Sequence, residues 1–224
     1  QALVGTTAMT TGVVTAAKSA VQLILGYFIG AYIGKTGRVK SVMVATSIVY
    51  AVSNFILGFT STPADMVLLI VGILLSGLGT TTYSMVYTLH AQNELPSDLV
   101  GEATSAIQFL QSLSGTIGLS VVGMVLNTSF SAKLQHVVPA GLENLIPADQ
   151  LQQYLGTTLL TDPTAVTTVS QGLSADGQQL FTQFVDNLHN AYAGAMTNAF
   201  LVLGILCAIT LIFSLMVRPS KKKA

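Results

Sequence analysis

The chain has 224 residues, 51% of them hydrophobic and only 8% charged, with nine Lys and Arg against nine Asp and Glu. That composition leaves too little polar surface for a water-soluble globule, and the zero net charge gives no positive field to hold a nucleic acid. The lone Cys207 excludes an internal disulfide and reads as a small buried apolar residue.

Five stretches are almost free of charge: 8–33, 41–59, 66–89, 103–127 and 190–217. Each is about 20 residues or longer, enough at 1.5 Å per residue to cross a hydrocarbon core of about 30 Å. The single formal charge inside them is Lys18. The expected fold is therefore an all-α membrane protein with five transmembrane helices. Residues 1–127 carry the first four spans, 128–189 form an outer segment, 190–217 form the last span and 218–224 a basic tail. The chain opens on Gln1, and five spans are an odd number for a bundle built from repeats. The expectation is a C-terminal part of a longer protein.

The first span sets Thr11, Thr15, Lys18 and Gln22 at steps of four, three and four, which places them on one helix face. Lys35, Arg38 and Lys40 follow it, and Arg218, Lys221, Lys222 and Lys223 follow the fifth. Short basic segments stay on the cytoplasmic side. One threading then satisfies both clusters, with a cytoplasmic C-terminus and the 128–189 segment outside. Thr62-Pro63-Ala64-Asp65 has the form of a capping box before the third span, and Pro96-Ser97-Asp98 is expected to play a similar part before the fourth.

The third span repeats the polar stripe with Ser76, Thr80, Tyr83, Tyr87 and His90, and the fourth with Thr104, Gln108, Gln111 and Gly115. Polar groups facing lipid are costly, so three such stripes point to a shared hydrated cavity; the alternative is hydrogen bonding that only joins helices. For Lys18 the alternative is a stem that snorkels outward. Gly72, Gly77 and Gly79 in the third span, and Gly115, Gly118 and Gly123 in the fourth, are expected to allow close helix approach. The outer segment holds Pro139, Pro147 and Pro163 and short amphipathic pieces. Of these, 178–188 puts Leu180, Phe181, Phe184, Val185 and Leu188 on one face and reads as a helix leading into the fifth span. His90, His136 and His189 lack metal-ligand spacing, and no nucleophile-elbow or phosphate-loop motif occurs. No catalytic residue, metal or cofactor is expected.

Gly30-Ala31-Tyr32-Ile33-Gly34-Lys35-Thr36-Gly37-Arg38-Val39-Lys40, between two spans, resembles the G-x-x-x-D-R-x-G-R-[RK] loop of the major facilitator superfamily. The sequence QFLQSLSGTIGLSVVGMVL, at 108–126, looks like the penultimate helix of the 14-helix drug:proton antiporters of the QacA/EmrB type. A long outer loop, a last span and a basic tail fit that group too. The resemblance implies five of the C-terminal spans of a secondary multidrug exporter, with small amphipathic substrates, protons, the lipid bilayer and a missing N-terminal half as its partners. It implies a cell-membrane location, and the substrate cavity expected from the three stripes would be lined by Lys18, Gln22, Thr80, Tyr83, Gln108 and Gln111. In the loop, Gly30 and Gly37 would shape the turn, Lys35 would replace the motif's Arg, and Arg38 and Lys40 would hold neighbouring helix ends. Gly34 stands where the motif has Asp, so its charge-paired latch cannot form in the usual way. The reading from another class is a membrane scaffold or sensor whose outer segment binds a partner.

Overall fold

The computed structural model describes residues 8–60, 66–147, 150–151, 154–155, 158–161 and 163–217. Its helices in chain order are α1 (Ala8–Thr36), α2 (Val39–Phe59), α3 (Met66–Glu94), α4 (Val100–Leu134), α5 (Thr158–Thr161), α6 (Pro163–Gln171) and α7 (Ala175–Met216), with a 3-10 turn at Leu142–Asn144. The described residues contain no strand. Helices α1, α2, α3, α4 and α7 are long and apolar enough to cross a membrane. The all-α membrane architecture read from the sequence is the one observed.

The side-chain register gives the topology. Tyr50 on α2 lies against Gly79 on α3, and Leu57 against Gly72, so one helix climbs seven residues as the other descends seven. These two are antiparallel. The same step relates α2 to α7, where Ser47 meets Ser214 and Asn54 meets Cys207. Helices α1 and α3 run parallel, since Gln22 meets Gly77 and Gly30 meets Met85. Packing thus proceeds from α1 to α3, α2, α7 and α4, with α3 also touching α4.

The glycines on α3 make that register possible. A Cβ at Gly79 would fall 2.5 Å from the Tyr50 Cβ, and one at Gly72 would fall 2.8 Å from a Leu57 methyl. The fourth-span glycines behave otherwise. Gly115, Gly118 and Gly123 have nothing within 4 Å of where a Cβ would stand. The expectation of close packing along that row is corrected: α4 meets α3 and α7 with other faces, and its small-residue row stays uncovered. The turn before α4 also differs from expectation. Leu99 is the N-cap and no side chain caps the helix, although Glu102 does lie in the first turn. The Leu99 N–H bonds Pro96 O instead, closing a turn over Ser97 and Asp98. The capping box expected at Thr62–Asp65 lies outside the described residues.

Helices continue past both ends of the 128–189 segment. Helix α4 runs on to Leu134, and α7 begins at Ala175, where the Ser174 hydroxyl accepts the Gly177 N–H. With 42 residues, α7 is about 63 Å long, twice the hydrocarbon thickness. The protruding ends of α4 and α7 carry a core of their own. Phe130, Val137, Leu142, Ile146, Leu159, Phe181, Phe184 and Leu188 are buried together, with Leu180 and Val185 packed against them. The Asn187 amide donates to Val137 O across this cap at 3.1 Å.

Glycine substitutions should separate the two rows. Gly79→Ala overpacks a filled helix contact and should cost about 1–3 kcal/mol. Gly118→Ala enters open space and should cost nothing. Thermal unfolding of the purified chain in detergent checks this; equal losses would show that the α2–α3 contact is looser than described.

Candidate functional site

Polar side chains of α1, α3 and α4 converge near mid-span on the 77–84 stretch of α3. The Gln22 amide nitrogen donates to Gly77 O and to the Thr80 hydroxyl, both at 3.1 Å. The half-buried Lys18 lies alongside, its stem against Gly77, where a Cβ would fall 2.8 Å from the lysine Cγ. On the other side, the Ser84 hydroxyl donates to Gln111 Oε1 at 3.1 Å, and two turns away Gln92 donates to Thr104 at 2.9 Å. Gln108 and Thr80 are exposed. The side chain of Tyr83 lies outside the described residues.

These contacts revise the three-stripe reading. The α3 stripe does not face one space. Thr80 turns toward α1, while the Tyr87 hydroxyl is hydrogen-bonded to Ser214 on α7. Ser76 and Thr15 bond carbonyls of their own helices. A 3.6-residue period fixes a helix face only to within about 100°. Neighbours on both sides of that arc can claim its members. Gln22 and Gln111 therefore spend part of their polarity joining helices, and Gln108 keeps its amide open.

The loop motif forms a two-residue turn. Gly37 has φ of +66°, in the left-handed region that glycine enters without a Cβ penalty, and its N–H caps Ile33 O at 2.7 Å. Gly30 lets α1 approach Met85, whose methyl would lie 2.8 Å from an added Cβ. Lys35 sits in the last turn of α1, where the helix dipole favours a cation. Arg38 is the exposed N-cap of α2. Lys40 reaches across to donate to Leu215 O at 3.0 Å, satisfying one of the free carbonyls that end α7. Beneath the turn, Ile33, Val39, Met43 and Val86 form a buried cluster joined by Val217. Gly34 has open space beside it.

Comparison with known proteins agrees with this architecture. Residues 2–152, which include α1 to α4 and the loop, match the profile of the sugar (and other) transporter family. The chain belongs to this transporter family, within the major facilitator superfamily. It is 30% identical over 164 residues to the MFS-type transporter pigP of Monascus ruber. That alignment covers 67% of this chain and 29% of the relative, so the chain spans less than a third of the relative's length. No solved structure matches.

In this transporter chain the polar centre of α2 went unread in the sequence. Thr46, Ser47, Ser53 and Asn54 are buried and bond carbonyls three or four residues back in their own helix. Ser47 also shares a hydrogen bond with Ser214 at 3.1 Å, and Asn54 donates to Cys207 Sγ at 3.7 Å. A usable signal existed: Met43, Ser47, Ala51, Asn54 and Gly58 step by four, four, three and four, a small and polar face suited to close packing.

The Lys40 contact is open to test. Lys40→Met should fray the end of α7, with faster amide hydrogen exchange at 213–217, whereas Arg38→Met should leave that segment unchanged. Identical exchange in both variants would show that the α7 end needs no cap from the loop.

Proposed function

We propose that this chain is the C-terminal part of a secondary active multidrug exporter of the 14-helix drug:proton antiporter type. It would carry small amphipathic compounds out across the cell membrane by alternating access, driven by protons. What supports the reading is that, in a chain of a transporter family, Lys18 and Gln22 of α1 meet α3 at Gly77 and Thr80 while Gln111 of α4 meets it at Ser84, with Gln108 one turn from Gln111. Transporter sites lie near the bilayer midplane where repeated halves meet. Tyr83 belongs to the same proposed site by its position between Thr80 and Ser84. None of the five apolar stretches contains Asp or Glu, so these stretches offer no carboxylate to carry the proton.

Within this reading Gln108 is the better substrate contact and Gln111 the better joint. In the full-length protein, Gln108→Leu should narrow the range of exported compounds at normal membrane abundance. Lys18→Met should change substrate range or proton dependence, and Lys18→Arg should not restore it, because a rigid planar fork does not reproduce a compact ammonium. The measurement is efflux of a dye panel from cells at two external pH values. Parental efflux by Gln108→Leu, Lys18→Met and Lys18→Arg alike would remove this strip from the transport path.

The orientation is proposed from the basic clusters: the Lys35–Lys40 turn and the C-terminus cytoplasmic, the 128–189 cap outside. In a cysteine-free background, a cysteine at Thr36 should react only with a membrane-permeant maleimide, and one at Gln150 should react with an impermeant one added outside. External labelling at Thr36 would reverse the threading.

A further inference from the structure

Lys133 is the single Lys or Arg between Lys40 and Arg218. It lies in the last turn of α4, and its side chain extends across the groove to α7. There its Nζ would stand 2.9 Å from a Cβ at Gly194 and its Cε 3.0 Å. Only a glycine at 194 leaves the ammonium that place. Among the described residues it makes no hydrogen bond and no ion pair.

The ammonium of the exposed Lys133 borders an open groove of about 590 Å³ lined by Thr128, Ser129, Ala132, Lys133, His136 and Asn198, all exposed but the half-buried Ser129. The first five lie on one face of α4 and the turn after it, spaced one, three, one and three residues apart; Asn198 faces them from α7. None of the six is acidic. The proton inventory shows what the groove offers. The Thr128 hydroxyl donates to Met124 O, and the Asn198 amide donates to Ser129 Oγ at 3.3 Å. The free donors are then the Ser129 hydroxyl, the second N–H of the Asn198 amide, the ring N–H of the exposed His136 and the three N–H bonds of Lys133.

A cation at a helix C-terminus is favourable in itself. That accounts for a lysine at 133, but not for its reach to a glycine on another helix or for a polar groove free of carboxylates. We propose that this groove is a binding site for a small oxyanion, a carboxylate or a phosphate, held by Lys133 with help from Ser129 and His136. Charge-assisted hydrogen bonds of this kind are the strong ones. The groove is open on its solvent side, so an organic group attached to the oxyanion has room along Ala132 and the Thr128 methyl. The site lies at the cap end of α4 and α7, apart from the Lys18–Gln111 strip, and does not depend on the export reading.

The test uses the full chain in lipid nanodiscs, with Cys207→Ser and an environment-sensitive fluorophore on Gln135→Cys, beside the groove. Sodium benzoate, sodium phosphate and glycerol are titrated at constant ionic strength. The expected result is a saturable signal with benzoate, with phosphate, or with both, and none with glycerol. Benzoate alone identifies a carboxylate site and phosphate alone a phosphate site. Lys133→Gln should weaken the midpoint by about tenfold or more, the scale of one charge-assisted bond. Gly194→Ala keeps the charge but displaces the ammonium, and should weaken it as well; it also decides the matter if Lys133→Gln fails to fold. A signal that does not saturate, an equal response to glycerol, or a parental midpoint in both variants would overturn the proposal.

Discussion

The constraint on which this structure depends is that lipid offers the backbone no hydrogen-bond partner. Each span must satisfy its own N–H and C=O groups, so five helices follow from the five uncharged stretches without help from propensity. The same constraint governs side chains. Thr46, Ser47, Ser53, Thr80 and Thr88 all return their protons to carbonyls of their own helix. Once each hydroxyl is satisfied locally, its oxygen can still accept, as Thr80 does from Gln22. Helix pairing is then decided by shape, and glycine positions carry much of the choice.

That explains what the sequence made legible. Missing charge located the spans, because one buried ionic group costs enough to be excluded almost everywhere. The turn at Gly37 was legible because a short link between antiparallel helices needs a residue at positive φ. Partners were not legible. Ser76 through His90 follow one helical period, but a period names a face and not the helix across from it, so Tyr87 went to α7 and Thr80 to α1. Gly72 and Gly118 look alike in sequence; only packing shows that one is filled by Leu57 and the other stands open. The amphipathic stretch at 178–188 was legible as a helix leading into the fifth span, and α7 runs through both, with no proline between 175 and 216 to interrupt it.

Helix α7 links regions that differ in solvent. Its first turns are buried among Phe130, Val137 and Leu142 of the cap. Its middle contacts α2 through Cys207, and its last turn is held by Ser47, Tyr87 and Lys40. A single helix bends only gently without proline or inserted groups. A tilt imposed at the cap therefore reaches the loop turn, about 60 Å away by helix rise. The cap, with its own apolar core, is thus joined to the bundle through one continuous helix.

Helix α3 is held by shape alone on one side and by shape together with side-chain hydrogen bonds on the others. Toward α2 it is locked by Gly72 and Gly79, which receive Leu57 and Tyr50 in a seven-residue register. Any slip by one residue drives a side chain into backbone. Toward α1 it is held by Gln22, which bonds both Gly77 O and Thr80, and by close contacts at Gly30 and Gly77; toward α4 by Ser84 to Gln111 and Gln92 to Thr104. Such bonds within membranes average about 0.6 kcal/mol, so breaking and re-forming them costs about as much as thermal energy.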